Sequence, residues 1–213
     1  MPGAQELASA ILSATENSIV PLTAEQVSQG SKLFGAAILD RASLSTVIAE
    51  TNNERESPLL HGEINCIQQF FKIPKESRPD TKDCVFFATH EPCSLCLSGI
   101  TWSGFNEFYY MFTYEDSRDL FAIPYDIDIL QSVYQVASPG DTEETLAAKP
   151  LYNRQNKFFT ARSLADLIDS VEDPEAQSKL KAELVRVKKL YDSLSATYQE
   201  GKKTGTASSS FFS

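Results

Sequence analysis

His61-Gly62-Glu63 and Pro92-Cys93-Ser94-Leu95-Cys96 are the two stretches on which the reading of this chain turns. The first supplies an imidazole with a carboxylate two positions on, and the second supplies two thiols one helical turn apart. Side chains at i and i+3 share a helix face, so the sulfurs of Cys93 and Cys96 can reach one ion, with His61 as the third donor. Proline is favoured at the first position of a helix. Pro92 is therefore expected to begin one and to hold both cysteines in its first turn, where peptide N–H groups favour thiolate over thiol. Three donors of this kind leave one position of a tetrahedral zinc ion open, the mark of a catalytic rather than a structural site. Water at such a position has its pKa lowered from about 15.7 towards ~7, and Glu63 is placed to move its proton. The plainer reading, surface residues at 61 and 63 and two core cysteines, gives no account of Pro92.

Outward from these motifs the chain alternates between the two periodicities of regular structure. Residues 61–71 carry Ile64, Ile67, Gln68 and Phe71 at helical spacing, with Cys66 three positions after Glu63 and most simply a core residue. Cys84-Val85-Phe86-Phe87-Ala88-Thr89 is a buried strand that delivers the second motif at its C-terminal end, where α/β sheets usually place their sites. A helix over 92–102 and a strand over 106–112 follow. Upstream, Leu33-Phe34-Gly35-Ala36-Ala37-Ile38-Leu39 and Ser45-Thr46-Val47-Ile48-Ala49-Glu50 read as a hairpin. Residues 4–18 read as a helix, and Thr23-Ala24-Glu25-Gln26 as the cap of a second, short one. Residues 131–137 suit a fifth strand closed by Ser138-Pro139-Gly140-Asp141. This order indicates an α/β fold, a three-layer α/β/α sandwich with a mixed five-stranded sheet, followed by C-terminal helices.

Residues 1–150 are thus read as the metal-dependent domain, 151–201 as a helical extension and 202–213, rich in Gly, Ser and Thr, as a disordered tail. In the extension Ser163 caps one helix and Asp173-Pro174-Glu175 starts another. Its Leu180, Leu184, Val187, Tyr191 and Leu194 form one apolar stripe, to be packed on the domain or on another subunit.

The net charge of −10, from 19 basic and 29 acidic residues, opposes a polyanion, so a small substrate is expected rather than nucleic acid. Four cysteines in 213 residues do not make a disulfide scaffold, which points to a reducing compartment. No apolar run approaches the length of a membrane span and the start lacks a basic, apolar leader, so a cytoplasmic protein without membrane attachment is expected.

His-x-Glu followed by Pro-Cys-x-x-Cys is the signature of zinc deaminases, in which the glutamate is general acid and base rather than ligand. On these motifs the chain is identified as a member of the cytidine/deoxycytidylate deaminase superfamily, over roughly residues 30–130. Residues 91–102, Glu91-Pro92-Cys93-Ser94-Leu95-Cys96-Leu97-Ser98-Gly99-Ile100-Thr101-Trp102, resemble bacterial guanine deaminases, as do Phe34-Gly35-Ala36-Ala37-Ile38 and Ile48-Ala49-Glu50-Thr51-Asn52-Asn53. His61-Gly62-Glu63-Ile64 resembles yeast cytosine deaminase.

The resemblance implies a cytidine deaminase-like fold, Zn2+ on His61, Cys93 and Cys96, and proton transfer by Glu63. It implies that Asn52, or Asn53 beside it, hydrogen-bonds the base, that the Gly62 N–H meets a ring carbonyl, and that Phe34 and Trp102 wall the pocket. Asp126 is the nearest match to an aspartate that reads the substrate. The reaction implied is hydrolytic deamination of a small amino-substituted heterocycle, a free guanine- or cytosine-like nucleobase or a nucleoside, by a homodimer. An RNA-editing adenosine deaminase and a non-catalytic, zinc-stabilised binding or regulatory protein are the competing readings; the acidic charge opposes the first and the intact Glu63 the second.

Overall fold

The structure is a computed structural model in which residues 2–206 are described. Helices α1 (Ala4–Ala14) and α2 (Val20–Ser28) are joined by a π-helical turn, Thr15–Ile19, into one continuous rod. The expected break near Ser18 and the cap at Thr23 are therefore corrected. The Val20 N–H reaches the Thr15 carbonyl five residues back, and this widened turn directly precedes Pro21, which has no N–H to give. Thr23 lies inside α2, its hydroxyl 3.0 Å from that of Thr51.

The chain continues through β1 (Gly35–Asp40), β2 (Thr46–Thr51), α3 (Gly62–Lys72), β3 (Cys84–His90), α4 (Ser94–Trp102) and β4 (Glu107–Phe112). Short helices α5 (Tyr114–Phe121), α6 (Tyr125–Ile129) and α7 (Glu143–Ala147) lead to β5 (Thr160–Ser163), α8 (Leu164–Asp169) and the long α9 (Pro174–Thr204). The sheet order is β2-β1-β3-β4-β5. β1 is antiparallel to β2 and β3, whereas β3–β4 and β4–β5 are parallel.

Alternation along the strands produces two cores. Ala37, Leu39, Val85, Phe87, Tyr109 and Met111 share one core with residues of α1, α8 and α9. Ala36, Ile38, Phe86, Ala88, Phe108 and Tyr110 share the other with Cys66, Ile67 and Phe70 of α3 and Ile100 of α4. Side chains alternate across a strand, so each strand serves both layers of helices. This is the expected three-layer mixed-sheet fold.

The fifth strand is a correction. Residues 130–134 form a π-helical turn after α6, with Val133, Tyr134 and Val136 exposed, and the place beside β4 is taken by Thr160–Ser163. The β-branched and aromatic residues of 131–137 suit a strand, but pairing with a neighbour decides strand identity more than composition does. The sheet thus draws its last strand from the segment read as a helical extension. At the C-terminus, 202–204 are helical rather than disordered, because α9 runs on to a left-handed cap at Gly205 (φ 74°). Residues 207–213 of the expected tail lie outside the described residues.

Asp173 caps α9 by accepting from the Glu175 N–H, with Pro174 at its start. All five residues of the expected stripe are buried, in the same core as α1 and α2. Leu180→Ala is expected to lower unfolding stability by about 2–5 kcal/mol, the usual cost of emptying a buried leucine site, measurable by urea titration. Among the described residues no helix is long and apolar enough to cross a membrane.

Candidate active site

Helices α3 and α4 lie on the same face of the sheet, and each opens on a metal donor. His61 is the N-cap of α3 and Cys93 the N-cap of α4, both in extended backbone. This moves the start of α4 two residues past Pro92: only Cys96 lies in its first turn, and Cys93 sits at its threshold. The approach is the one expected, since β3 ends at His90 and hands the chain directly to Glu91-Pro92-Cys93.

The start of α3 is held by close backbone packing. A Cβ at Gly62 would fall 2.6 Å from Gly35 Cα and 3.0 Å from the Phe34 carbonyl oxygen, so the helix end rests on the start of β1. The Gly62 N–H donates to Asn52 Oδ1 at 2.6 Å, and the Asn65 side-chain amide donates to the Thr51 carbonyl at 3.0 Å. Gly62→Ala is expected to cost about 1–3 kcal/mol through overpacking and to displace His61, lowering both thermal midpoint and metal affinity.

His61 Nδ1 lies 3.4 Å from Cys93 Sγ and 3.7 Å from Cys96 Sγ. Tetrahedral zinc with Zn–N near 2.05 Å and Zn–S near 2.3 Å separates nitrogen from sulfur by about 3.6 Å. The three donor atoms all lie within 4.8 Å of one another, and the set fits Zn2+. Without a metal, Cys93 is held well below the usual thiol range by hydrogen bonding from Cys96 and by His61. Burial pushes the Cys96 thiol up. Burial works to lower the His61 pKa, but the neighbouring Cys93 outweighs it and lifts it to about 9. Loading the site must therefore displace protons, which makes metal affinity rise with pH.

Glu63, in the first turn of α3, is fully buried, and neither carboxylate oxygen has a hydrogen-bond partner. Burial, reinforced by Cys93, raises its pKa to about 7. A carboxylate desolvated beside three metal donors is poised to hold or release a proton near neutrality.

A cavity of about 270 Å³ opens onto two of the donors, His61 and Cys93, its wall including also Phe34, Asn52, His90 and Asp126. A more open hollow of about 720 Å³, between Tyr114, Lys149 and Arg154, includes none of the donors in its lining. Asn52 is at the cavity with its oxygen committed to Gly62, which leaves its amide N–H groups for other partners. Asn53 instead donates to Glu56 at 2.8 Å and is not part of the wall. The Gly62 N–H, expected to meet a ring carbonyl, is spent on Asn52. Trp102 is corrected outright: it is 90% exposed and does not line the cavity. It ends α4, whose nine residues span about 13 Å, while the donors sit at the other end.

Two residues, His90 and Glu91, were given no role in the reading of the sequence. His90 is one of the chain's two histidines and lies three residues before Cys93, which is the only signal that could have found it. Glu91 is buried, and its Oε1 accepts from Tyr152 at 2.9 Å and from Arg154 at 2.8 Å. These long-range bonds tie residues after 150 to the turn that presents Cys93, and no local pattern announces them.

Residues 15–112 match the family described as the cytidine and deoxycytidylate deaminase zinc-binding region. The matched region contains His61, Cys93 and Cys96. A cytosine deaminase of Candida albicans is 33% identical over 81 residues, which are 37% of this chain and 51% of that protein. The chain thus spans about half the length of the curated relative it matches. Similar solved structures include a guanine deaminase from Nitrosomonas europaea, at 18% identity and a TM-score of 0.44, covering 81% of this chain and 84% of that one. Another is a guanine deaminase from Bacillus subtilis, at 22% identity and a TM-score of 0.46, covering 65% and 93%.

Proposed function

We propose that the chain is a zinc-dependent aminohydrolase that deaminates a small amino-substituted heterocycle, most simply a free nucleobase of guanine or cytosine type. The observation that carries this reading is the fully buried Glu63, both oxygens unpartnered, beside the clustered donors of His61, Cys93 and Cys96. A structural zinc site has no use for such a carboxylate, and a core position would not hold it without a hydrogen bond.

His61, Cys93 and Cys96 would hold zinc, which would supply the Lewis acidity that makes a water nucleophilic near neutral pH. The ionised Glu63 accepts a proton from the attacking water and delivers it to a ring nitrogen of the base. It then takes the remaining proton of that oxygen and passes it to the departing amine, so the ring carbon exchanges its C–N bond for a carbonyl and ammonia leaves. Phe34 contributes an apolar part of the wall, Asn52 offers amide donors, and Asp126 offers a carboxyl at the cavity wall. A cavity of about 270 Å³ is at the small end for ligand sites and favours a single base over a polymer.

Metal analysis of the purified protein, combined with ammonia release from guanine, cytosine, adenine and their nucleosides, tests the proposal. About one zinc per chain and turnover of at least one base are expected; a protein without metal, or a zinc-loaded protein inert on the whole panel, would overturn it. A homodimer belongs to this reading, so light scattering is expected to give twice the mass of a single chain.

A further inference from the structure

We infer that His90 is a specificity-determining residue of this cavity, its imidazole and the Asp126 carboxyl together presenting a hydrogen-bonding pair to a ring N–H of the heterocycle and the lone-pair acceptor beside it. The inference rests on the deaminase reading and deepens it.

His90 closes β3 and is only 2% exposed, yet its ring forms part of the cavity wall. It stacks on Phe34, with centroids 3.7 Å apart and planes 18° from parallel, which sets the direction of its ring nitrogens before any ligand arrives. Nε2 lies 3.8 Å from Asp126 Oδ2, beyond hydrogen-bond reach, and Nδ1 is buried without a partner. Neither group satisfies the other, although both stand at the same wall. An apolar side chain would fill this position without the penalty of an unpaired buried nitrogen, so packing alone does not account for histidine there.

Burial keeps the imidazole neutral, and a neutral imidazole offers one donor and one acceptor. Beside a carboxyl it makes a two-point edge, complementary to a ring N–H next to a lone-pair acceptor. Free cytosine and guanine carry such an edge at the nitrogen that bears the sugar in nucleosides. The pair therefore selects free bases, because a sugar at that nitrogen removes the N–H and fills the small cavity. A site built to hydrogen-bond a group rejects analogues that lack it far more strongly than apolar packing can.

The test compares zinc-loaded wild type, His90→Leu and His90→Asn on cytosine, guanine, cytidine and guanosine. It adds calorimetric binding of cytosine and guanine to Glu63→Gln with and without His90→Leu, so that affinity is read without turnover. His90→Leu is expected to keep its zinc and its thermal midpoint, to raise KM for the preferred base by about 10-fold or more with kcat within about threefold, and to weaken binding by the same factor. Its preference for base over nucleoside should shrink, and His90→Asn, which restores a donor and an acceptor, should recover part of the loss. If His90→Leu binds and discriminates as wild type does, or loses its zinc, the role given to His90 is overturned while the deaminase reading stands. If zinc-loaded wild type neither binds nor deaminates any of the four, the deaminase reading fails, and the His90 role falls with it.

Discussion

Glu63→Gln is expected to retain one zinc per chain while ammonia release falls by about 10²–10⁴-fold, the range that positioned acid–base groups contribute. Glutamine keeps the shape of the side chain, so His61, Cys93 and Cys96 are left in place, but it cannot take a proton and pass it on. Parallel measurements of zinc content and turnover check this, and near-normal activity would remove Glu63 from the chemistry. The substitution has a second, opposite signature in the metal-free protein. Burial lifts the Glu63 pKa from 4.5 to about 7, so its ionised form is disfavoured in the fold relative to the unfolded chain. The resulting destabilisation is absent below pH 4.5, grows as the pH rises through that window and is complete above about 7, where it is on the order of 3 kcal/mol. Metal-free Glu63→Gln should therefore match wild type in stability at pH 4 and exceed it at pH 8, as urea titrations at the two values would reveal. Loss of activity together with a gain of apo stability separates a functional carboxylate from a structural one.

Cys93→Ala, or chelation of the wild type, is expected to remove both the metal and a large part of the fold's stability. An ion that binds the native state and not the unfolded chain stabilises it by about 4 kcal/mol when present at about 1,000 times its dissociation constant. For a chain of this size each kilocalorie moves the thermal midpoint by about 2–4 °C, so a fall of roughly 8–16 °C is anticipated. The two routes should give the same midpoint, because each leaves α3 and α4 facing one another with their donor atoms unbridged. Zinc added back should restore the chelated wild type and leave Cys93→Ala unchanged. Retention of stoichiometric zinc by Cys93→Ala would take that residue out of the donor set.

The metal donors were legible in the sequence because their geometry is local. His61 and Cys93 each cap a helix, and Cys96 lies one turn into the second, so short-range spacing alone brings the two sulfurs to one side. Strands β1, β3 and β4 were legible for a related reason: each is an apolar run bounded by polar turns, and both faces of the sheet are covered there. Residues 131–137 carry a similar composition yet make no strand, since nothing in a single segment says which neighbour it will meet.

What the sequence determined by itself is the donor set, the Glu63 carboxylate beside it, and the α/β order that carries both. Those depend on contacts between residues a few positions apart, which chain geometry settles. The tertiary structure alone decided that Thr160–Ser163 completes the sheet and that Trp102 faces solvent. It alone also placed His90 and Asp126, which lie far apart in the chain, within 3.8 Å of one another on the wall that faces the metal donors. Each of these follows from how distant segments pack together, and the free energy that chooses among such packings belongs to the assembled core rather than to any local pattern.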